Sequence, residues 1–277
     1  MQVGLHIRIT DSLHALVEKA LRLEIPFFQC FFSIKNKMAL LRPTEQEIAD
    51  FVGARRTHFT NLYAHGSYWI NLASVDHTGH YALDRELQLA RSLEFTHMVV
   101  HPGSAKGAAT KQAGIDAAAR SLNKALKKQP GIQVLLENTA HGNMTIGGDL
   151  QDLAAIYQKL DNPERVGFCL DTAHAHVYGY DIVSEQGRAD FITLVDQQLG
   201  LARVALLHVN DTHDGCASKL DRHHLLGQGT IGLHALQAFV TNPRLQHIPL
   251  LTEPPVIDEE LEREQLTLMR SWYTHQQ

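Results

Sequence analysis

The chain has 277 residues, 44% hydrophobic and 20% charged, a balance that supports a sizeable core and excludes a disordered chain. Its formal net charge of −5 lacks the basic footprint of a nucleic-acid binder, although bound divalent ions would offset that charge locally. The three cysteines, Cys30, Cys169 and Cys216, are too sparse for a disulfide framework or a zinc ribbon. No apolar run approaches the ~18 residues of a membrane span, and Met1 to Thr10 lacks the basic start of a signal peptide, so a cytoplasmic protein with no membrane partner is expected.

Short apolar runs alternate with longer amphipathic stretches. Val3 to Ile9 precedes a helix from Asp11, the expected cap, to about Leu23. Phe27 to Phe32 precedes a helix opened by Thr44 and Glu47 in capping-box spacing. Asn61 to His65 leads to a helix near Asp84 to Leu93, and Thr96 to His101 to one over Gly114 to Lys128. Gln133 to Asn138 is followed by Asp149 to Lys159, and Val166 to Asp171 by about Arg188 to Leu199. Ala205 to Asp211 is followed by Gly232 to Val240, and Pro249 to Glu253 by Asp258 to Tyr273. Strand-then-helix units repeated in this way, with no linker, predict an α/β fold: one (β/α)8 TIM barrel over residues 1–277.

In such barrels the active site forms where the strands end. His65, His101, Glu137, Asp171, His208 and Glu253 lie at or near the ends of consecutive apolar runs. Any one of them alone is an ordinary residue; in register they converge on one cavity. Asp171 and His174 are three apart and share the turn leaving their strand, while Asp221 and His223, two apart in an extended loop, can point one way. One metal needs about four ligands, so this set implies a cluster of two or three. Its donors are nitrogen and oxygen, which favours zinc first and manganese second. Clustered metals with open positions suit phosphate-ester hydrolysis. A smaller reading remains: Glu137, Asp171, His208 and Glu253 alone would satisfy a mononuclear sugar isomerase or epimerase on a related barrel.

The chain resembles the endonuclease IV family of apurinic/apyrimidinic endonucleases. The resemblance lies in His65-Gly66-Ser67-Tyr68-Trp69-Ile70-Asn71-Leu72, His101-Pro102-Gly103-Ser104, Glu137-Asn138-Thr139-Ala140 and Val166 to Ala175. It continues through Gly179-Tyr180-Asp181, His208-Val209-Asn210-Asp211, Asp221-Arg222-His223, Gly227 to Gly232 and Pro249 to Glu253. It implies a (β/α)8 barrel with three zinc ions per chain, manganese being possible at one site. His65, His101 and Glu137 would hold one ion. Glu137 would bridge to a second, held also by Asp171, His208 and Glu253. His174, Asp221 and His223 would hold the third. The implied reaction is attack by metal-bound hydroxide on the phosphate 5′ to an abasic site in duplex DNA, with Glu137 central to catalysis. Tyr68, Lys35, Asn36, Lys37, Lys219 and Arg222 are expected on the substrate side, and a monomer is expected.

The departures from the family pattern fall in the loops. Arg8 to Leu13 stands where a Ser-x-x-Gly-Gly turn is usual, and Met38 where an arginine is expected. Cys216-Ala217-Ser218-Lys219 replaces a Gly-Ser-Arg stretch, and Pro254-Pro255 follows Glu253 in place of threonine. The metal chemistry is therefore expected to be kept while the DNA-reading parts are altered. Another damaged or single-stranded nucleic acid is the alternative substrate.

Overall fold

The computed structural model describes residues 2–33, 39–76 and 79–274. Its strands are β1 (Val3–His6), β2 (Phe28–Phe31), β3 (Tyr63–His65), β4 (His97–Val100), β5 (Gln133–Glu137), β6 (Val166–Asp171), β7 (Val204–His208), β8 (Asp211–Thr212), β9 (His223–His224) and β10 (Leu250–Thr252). All but β8 and β9 form a closed parallel barrel in the order β1-β10-β7-β6-β5-β4-β3-β2. β8 and β9 make a separate antiparallel pair in the loop after β7, matching Asp211 with His224 and Thr212 with His223. The barrel expected from the alternation of runs is therefore present.

The helices are α1 (Leu13–Arg22), α2 (Glu45–His58), α3 (Gly79–Ser92), α4 (Lys111–Lys128), α5 (Leu150–Tyr157), α6 (Thr172–Tyr178), α7 (Glu185–Gln198), α8 (Leu233–Val240) and α9 (Glu259–Thr274). The capping box at Thr44 and Glu47 is formed. At α1 the cap is Ser12 rather than Asp11: Ser12 Oγ accepts the Ala15 N–H at 3.1 Å, while Asp11 takes the Thr10 hydroxyl. α6 is an extra helix that the sequence reading treats as a turn. It forms because Asp171 caps it, Oδ1 accepting the His174 N–H at 2.8 Å. Among the described residues no helix is long and apolar enough to cross a membrane.

Two apolar layers organise the molecule. The larger lies between the barrel and its helices. The smaller fills the barrel itself, with Phe27, Tyr63, Val99, Leu135, Cys169, Leu206 and Leu251 in one cluster. Inward side chains on a strand are two residues apart. The next inward layer toward the strand ends is therefore Gln29, His65, His101, Glu137, Asp171, His208 and Glu253. Gly4 belongs to the lower layer, since a Cβ there would meet the Phe27 ring at 2.5 Å. That puts His6 in the upper one. A polar ring thus sits directly on an apolar plug, which closes it to water from below.

Candidate metal centre

Glu137 is fully buried at the middle of this ring. Its Oε2 faces His65 Nε2 at 3.0 Å and His101 Nε2 at 2.8 Å; its Oε1 faces His208 Nδ1 at 2.8 Å. One carboxylate thus looks toward two sides, as a bridging ligand must. Donor atoms of His65, His101 and Glu137 lie within 4.8 Å of one another, as do those of Glu137, Asp171, His208 and Glu253, and those of Asp171, His174 and His223. Asp221 joins the last group, with Oδ2 3.2 Å from His174 Nε2 and Oδ1 3.3 Å from His223 Nε2. All the ligands expected from the sequence are therefore brought together, in three overlapping groups.

The histidines are oriented as metal ligands are. Four of them present one ring nitrogen outward to a fixed acceptor: His65 Nδ1 to the Gly66 carbonyl at 2.9 Å, His174 Nδ1 to Asn138 O at 2.8 Å, His208 Nε2 to Gln29 Oε1 at 2.9 Å and His223 Nδ1 to Glu253 O at 3.2 Å. Assigning the outward proton from these partners leaves each inward nitrogen a lone pair aimed at the carboxylates. The inward nitrogens of His101 and His223 are buried and face carboxylate oxygens of Glu137 and Asp221 without hydrogen-bond geometry. Such a donor set fits divalent ions of the zinc type.

Without a cation, protons must do the same work. Burial alone would lower the His65 imidazole, but the hydrogen bond and charge of Glu137, with Glu253 near, raise it to about 9. His223 likewise rises to about 9 against its burial, through Asp221, Asp171 and Glu253. Burial also opposes the charge on Glu137, yet His208 and His101 hold it well below the usual carboxylate range. These raised values stabilise the metal-free protein fully below about 6.5, the unfolded value, and that stability is lost as pH rises through about 9. Metal-free protein should therefore melt at falling temperature from about pH 7 to about pH 9.5. Zinc uptake at about pH 8 should release protons and tighten with rising pH, because the ligands must be deprotonated. Titration in weak buffer with a pH indicator checks this; uptake without proton release would contradict it.

Several residues that position the ligands were missed by sequence reasoning. Gln29, fully buried in β2, donates to Glu253 Oε1 at 2.6 Å while accepting from His208. His6 Nδ1 lies 2.9 Å from Gln29 Nε2 and 3.2 Å from Glu253 Oε1. Asn138 Oδ1 accepts from the Asp171 N–H at 2.7 Å, and Asn210 Nδ2 donates to Asp171 Oδ2 at 2.6 Å. A glutamine within the apolar run Phe27 to Phe32 was a visible signal, because a buried amide requires partners. Cys169 also approaches Glu137 and His208, as a member of the apolar plug.

The loop carrying Asp221 and His223 has its own anchor. The buried Asp211 carboxylate accepts the backbone N–H groups of Thr212 at 2.9 Å, Gly227 at 3.1 Å, Gly229 at 3.0 Å, Ile231 at 3.0 Å and Gly232 at 3.2 Å. A Cβ on Gly229 would stand 2.3 Å from Asp211 Oδ1, which explains the glycine there. Asp211→Asn would turn an amide N–H₂ against these donors. Its expected cost is about 2–4 kcal/mol, read in urea unfolding. An unchanged midpoint would remove this role.

Two cavities open over the cluster. One of about 320 Å³ is lined by His65, Tyr68, Asn71, His101, Ser104, Thr139 and neighbours; a smaller one of about 100 Å³ runs over His6, Arg8, His174, His223 and Glu253. Tyr68, 81% exposed, lines both and packs 5.5 Å from the Phe31 ring. Lys219 does not line either cavity: its ammonium donates to the Tyr178 carbonyl and lies 3.4 Å from the Tyr178 ring centroid. Arg222 is forked onto Asp214, with Nε to Oδ2 at 2.9 Å. Lys35, Asn36 and Lys37 lie outside the described residues.

The chain matches known proteins over nearly its whole length. Residues 17–272 match the family described as a xylose isomerase-like TIM barrel. A protein of Heliobacterium modesticaldum named "Probable endonuclease 4" is 35% identical over 276 residues, 98% of this chain and 99% of that protein. The crystal structure of endonuclease IV from Thermus thermophilus superimposes with a TM-score of 0.85 at 28% identity, over 98% of both chains. A D-tagatose 3-epimerase-like protein matches 98% of this chain and 97% of its own at TM-score 0.74, but at 16% identity it shares the fold alone. With this extent of identity to endonuclease 4 proteins, and with clustered histidines and carboxylates at the barrel mouth, the chain belongs to the endonuclease IV family of nucleases.

Proposed function

We propose that this chain is a zinc-dependent endonuclease of DNA repair, cutting duplex DNA 5′ to abasic sites. The observation that carries the reading is the division of the ligands into three groups around Glu137, Asp171 and Asp221. A mononuclear isomerase would need only Glu137, Asp171, His208 and Glu253, leaving His65, His101, His174, Asp221 and His223 unexplained. Zinc so held would make hydroxide available near neutral pH and neutralise charge on the phosphate and leaving oxygens.

The protein's own residues prepare the site. Glu137 sets the separation of the first two groups through its two oxygens. Gln29, Asn138 and Asn210 hold His208, Asp171 and Glu253 in place, and the apolar plug below excludes water. The ring is recessed within the barrel, beneath Tyr68. A phosphate in a stacked duplex cannot descend that far, so the nucleotide must leave the stack, which costs least where a base is already missing. The larger cavity, lined by the polar Asn71, Ser104 and Thr139 and by the apolar Ile70 and Val100, suits a sugar that carries no base.

The test is cleavage of a duplex with a single synthetic abasic site, with metals counted on the same sample. Incision 5′ to the site with about three metals per chain supports the reading. Three metals without incision would move the substrate to another phosphodiester, and one metal would favour the isomerase.

A further inference from the structure

We propose that Arg8 is a phosphate-binding and specificity-determining residue of this site, its guanidinium taking a nonbridging oxygen of the phosphodiester at the mouth of the metal cavity. The proposal rests on the phosphodiesterase reading and adds the group that grips its anionic substrate.

Arg8 follows His6 by two residues, so alternation carries its side chain to the same face as His6, one step nearer the barrel mouth. It is half-buried and lines the smaller cavity together with His65, His174, His223 and Glu253. Among the described residues it is the lysine or arginine that lines either cavity. Its hydrogen bond runs from Nη2 to the Pro254 carbonyl at 3.0 Å, and among the described residues no carboxylate pairs with it. A guanidinium has five N–H donors in a planar fork. One is committed to Pro254, which fixes the fork's direction; the rest are available to an anion. A half-buried arginine lacking a carboxylate partner, beside a ring of metal-ligating groups, is arranged for bidentate phosphate recognition.

Two departures from the family pattern also meet here. Arg8 stands in the altered turn after the first strand, and Pro254 follows Glu253 where threonine is usual; the hydrogen bond joins them. The backbone of consecutive prolines is stiff, so the acceptor that aims Arg8 is itself held. The position therefore differs from the common pattern as a pair, in the direction of adding a fixed positive charge.

The experiment titrates inorganic phosphate into zinc-loaded protein by calorimetry, with cleavage kinetics alongside. Arg8→Gln retains a donor for the Pro254 carbonyl and removes the charge. Its phosphate Kd is expected to weaken about tenfold, with partial recovery in Arg8→Lys. On abasic duplex its KM should rise, and the salt dependence of kcat/KM should become shallower by about one unit of slope. An unchanged phosphate Kd in Arg8→Gln overturns the proposal, and does so equally if the melting temperature falls, since Arg8 would then be only a strap. If wild-type protein fails to cut the abasic duplex, the DNA reading falls, while the phosphate titration still decides Arg8.

Discussion

Glu137→Gln is expected to lower kcat by at least about a thousandfold while leaving the fold intact, because on the proposed reading several kcal/mol of charge stabilisation would depend on the metals Glu137 would join. The residue is fully buried, and its two oxygens face His65 and His101 on one side and His208 on the other. Glutamine keeps the shape and one carbonyl oxygen. It replaces the other with an N–H₂ that cannot bind a cation, and it removes the negative charge the histidine nitrogens surround. Metal content should fall with activity, and circular dichroism should be unchanged. Wild-type turnover in this variant would sink the assigned role, and a protein that fails to fold would show Glu137 to be structural instead.

Metal removal is the second large effect. Chelation should inactivate the protein over many minutes rather than at once, because on the proposed reading each ion would be held by several charged ligands within the barrel. The stripped protein should melt roughly 10 °C lower, following from about 4 kcal/mol of binding linkage for a ligand present at a thousandfold excess over its Kd. The buried carboxylates of Glu137 and Asp171 would then share His208 between them, its Nδ1 2.8 Å from Glu137 Oε1 and 3.9 Å from Asp171 Oδ2. Restoring zinc should restore both activity and melting temperature. Immediate loss in mild chelator would point to a weak, hydrated magnesium-type site instead.

The barrel and the histidines and carboxylates gathered at its mouth were legible in the sequence. Both are written locally: apolar runs of strand length mark the barrel, and side-chain alternation sends the residue at each strand end to the cavity. His65, Glu137, Asp171 and His208 could therefore be named without knowing which strands pair. Local chemistry also specified the capping box at Thr44 and Glu47.

Which groups meet across the chain depends on the closed barrel. Gln29 joins His208, 179 residues away, and Glu253, 224 residues away, and no local period encodes such a contact. The Gly227 to Gly232 stretch was visible as a motif, but its task of wrapping the Asp211 carboxylate emerges only when the loop folds back on β8. Lys219 and Arg222 were expected on the substrate side from the family resemblance; the fold sets their side chains against Tyr178 and Asp214. Arg8 read as a mere departure and becomes a candidate anion ligand once Pro254 aims it. Strand alternation is a property of the backbone and can be read along the chain. Hydrogen-bond partners depend on the closure of the barrel, which brings its first and last strands together only in space.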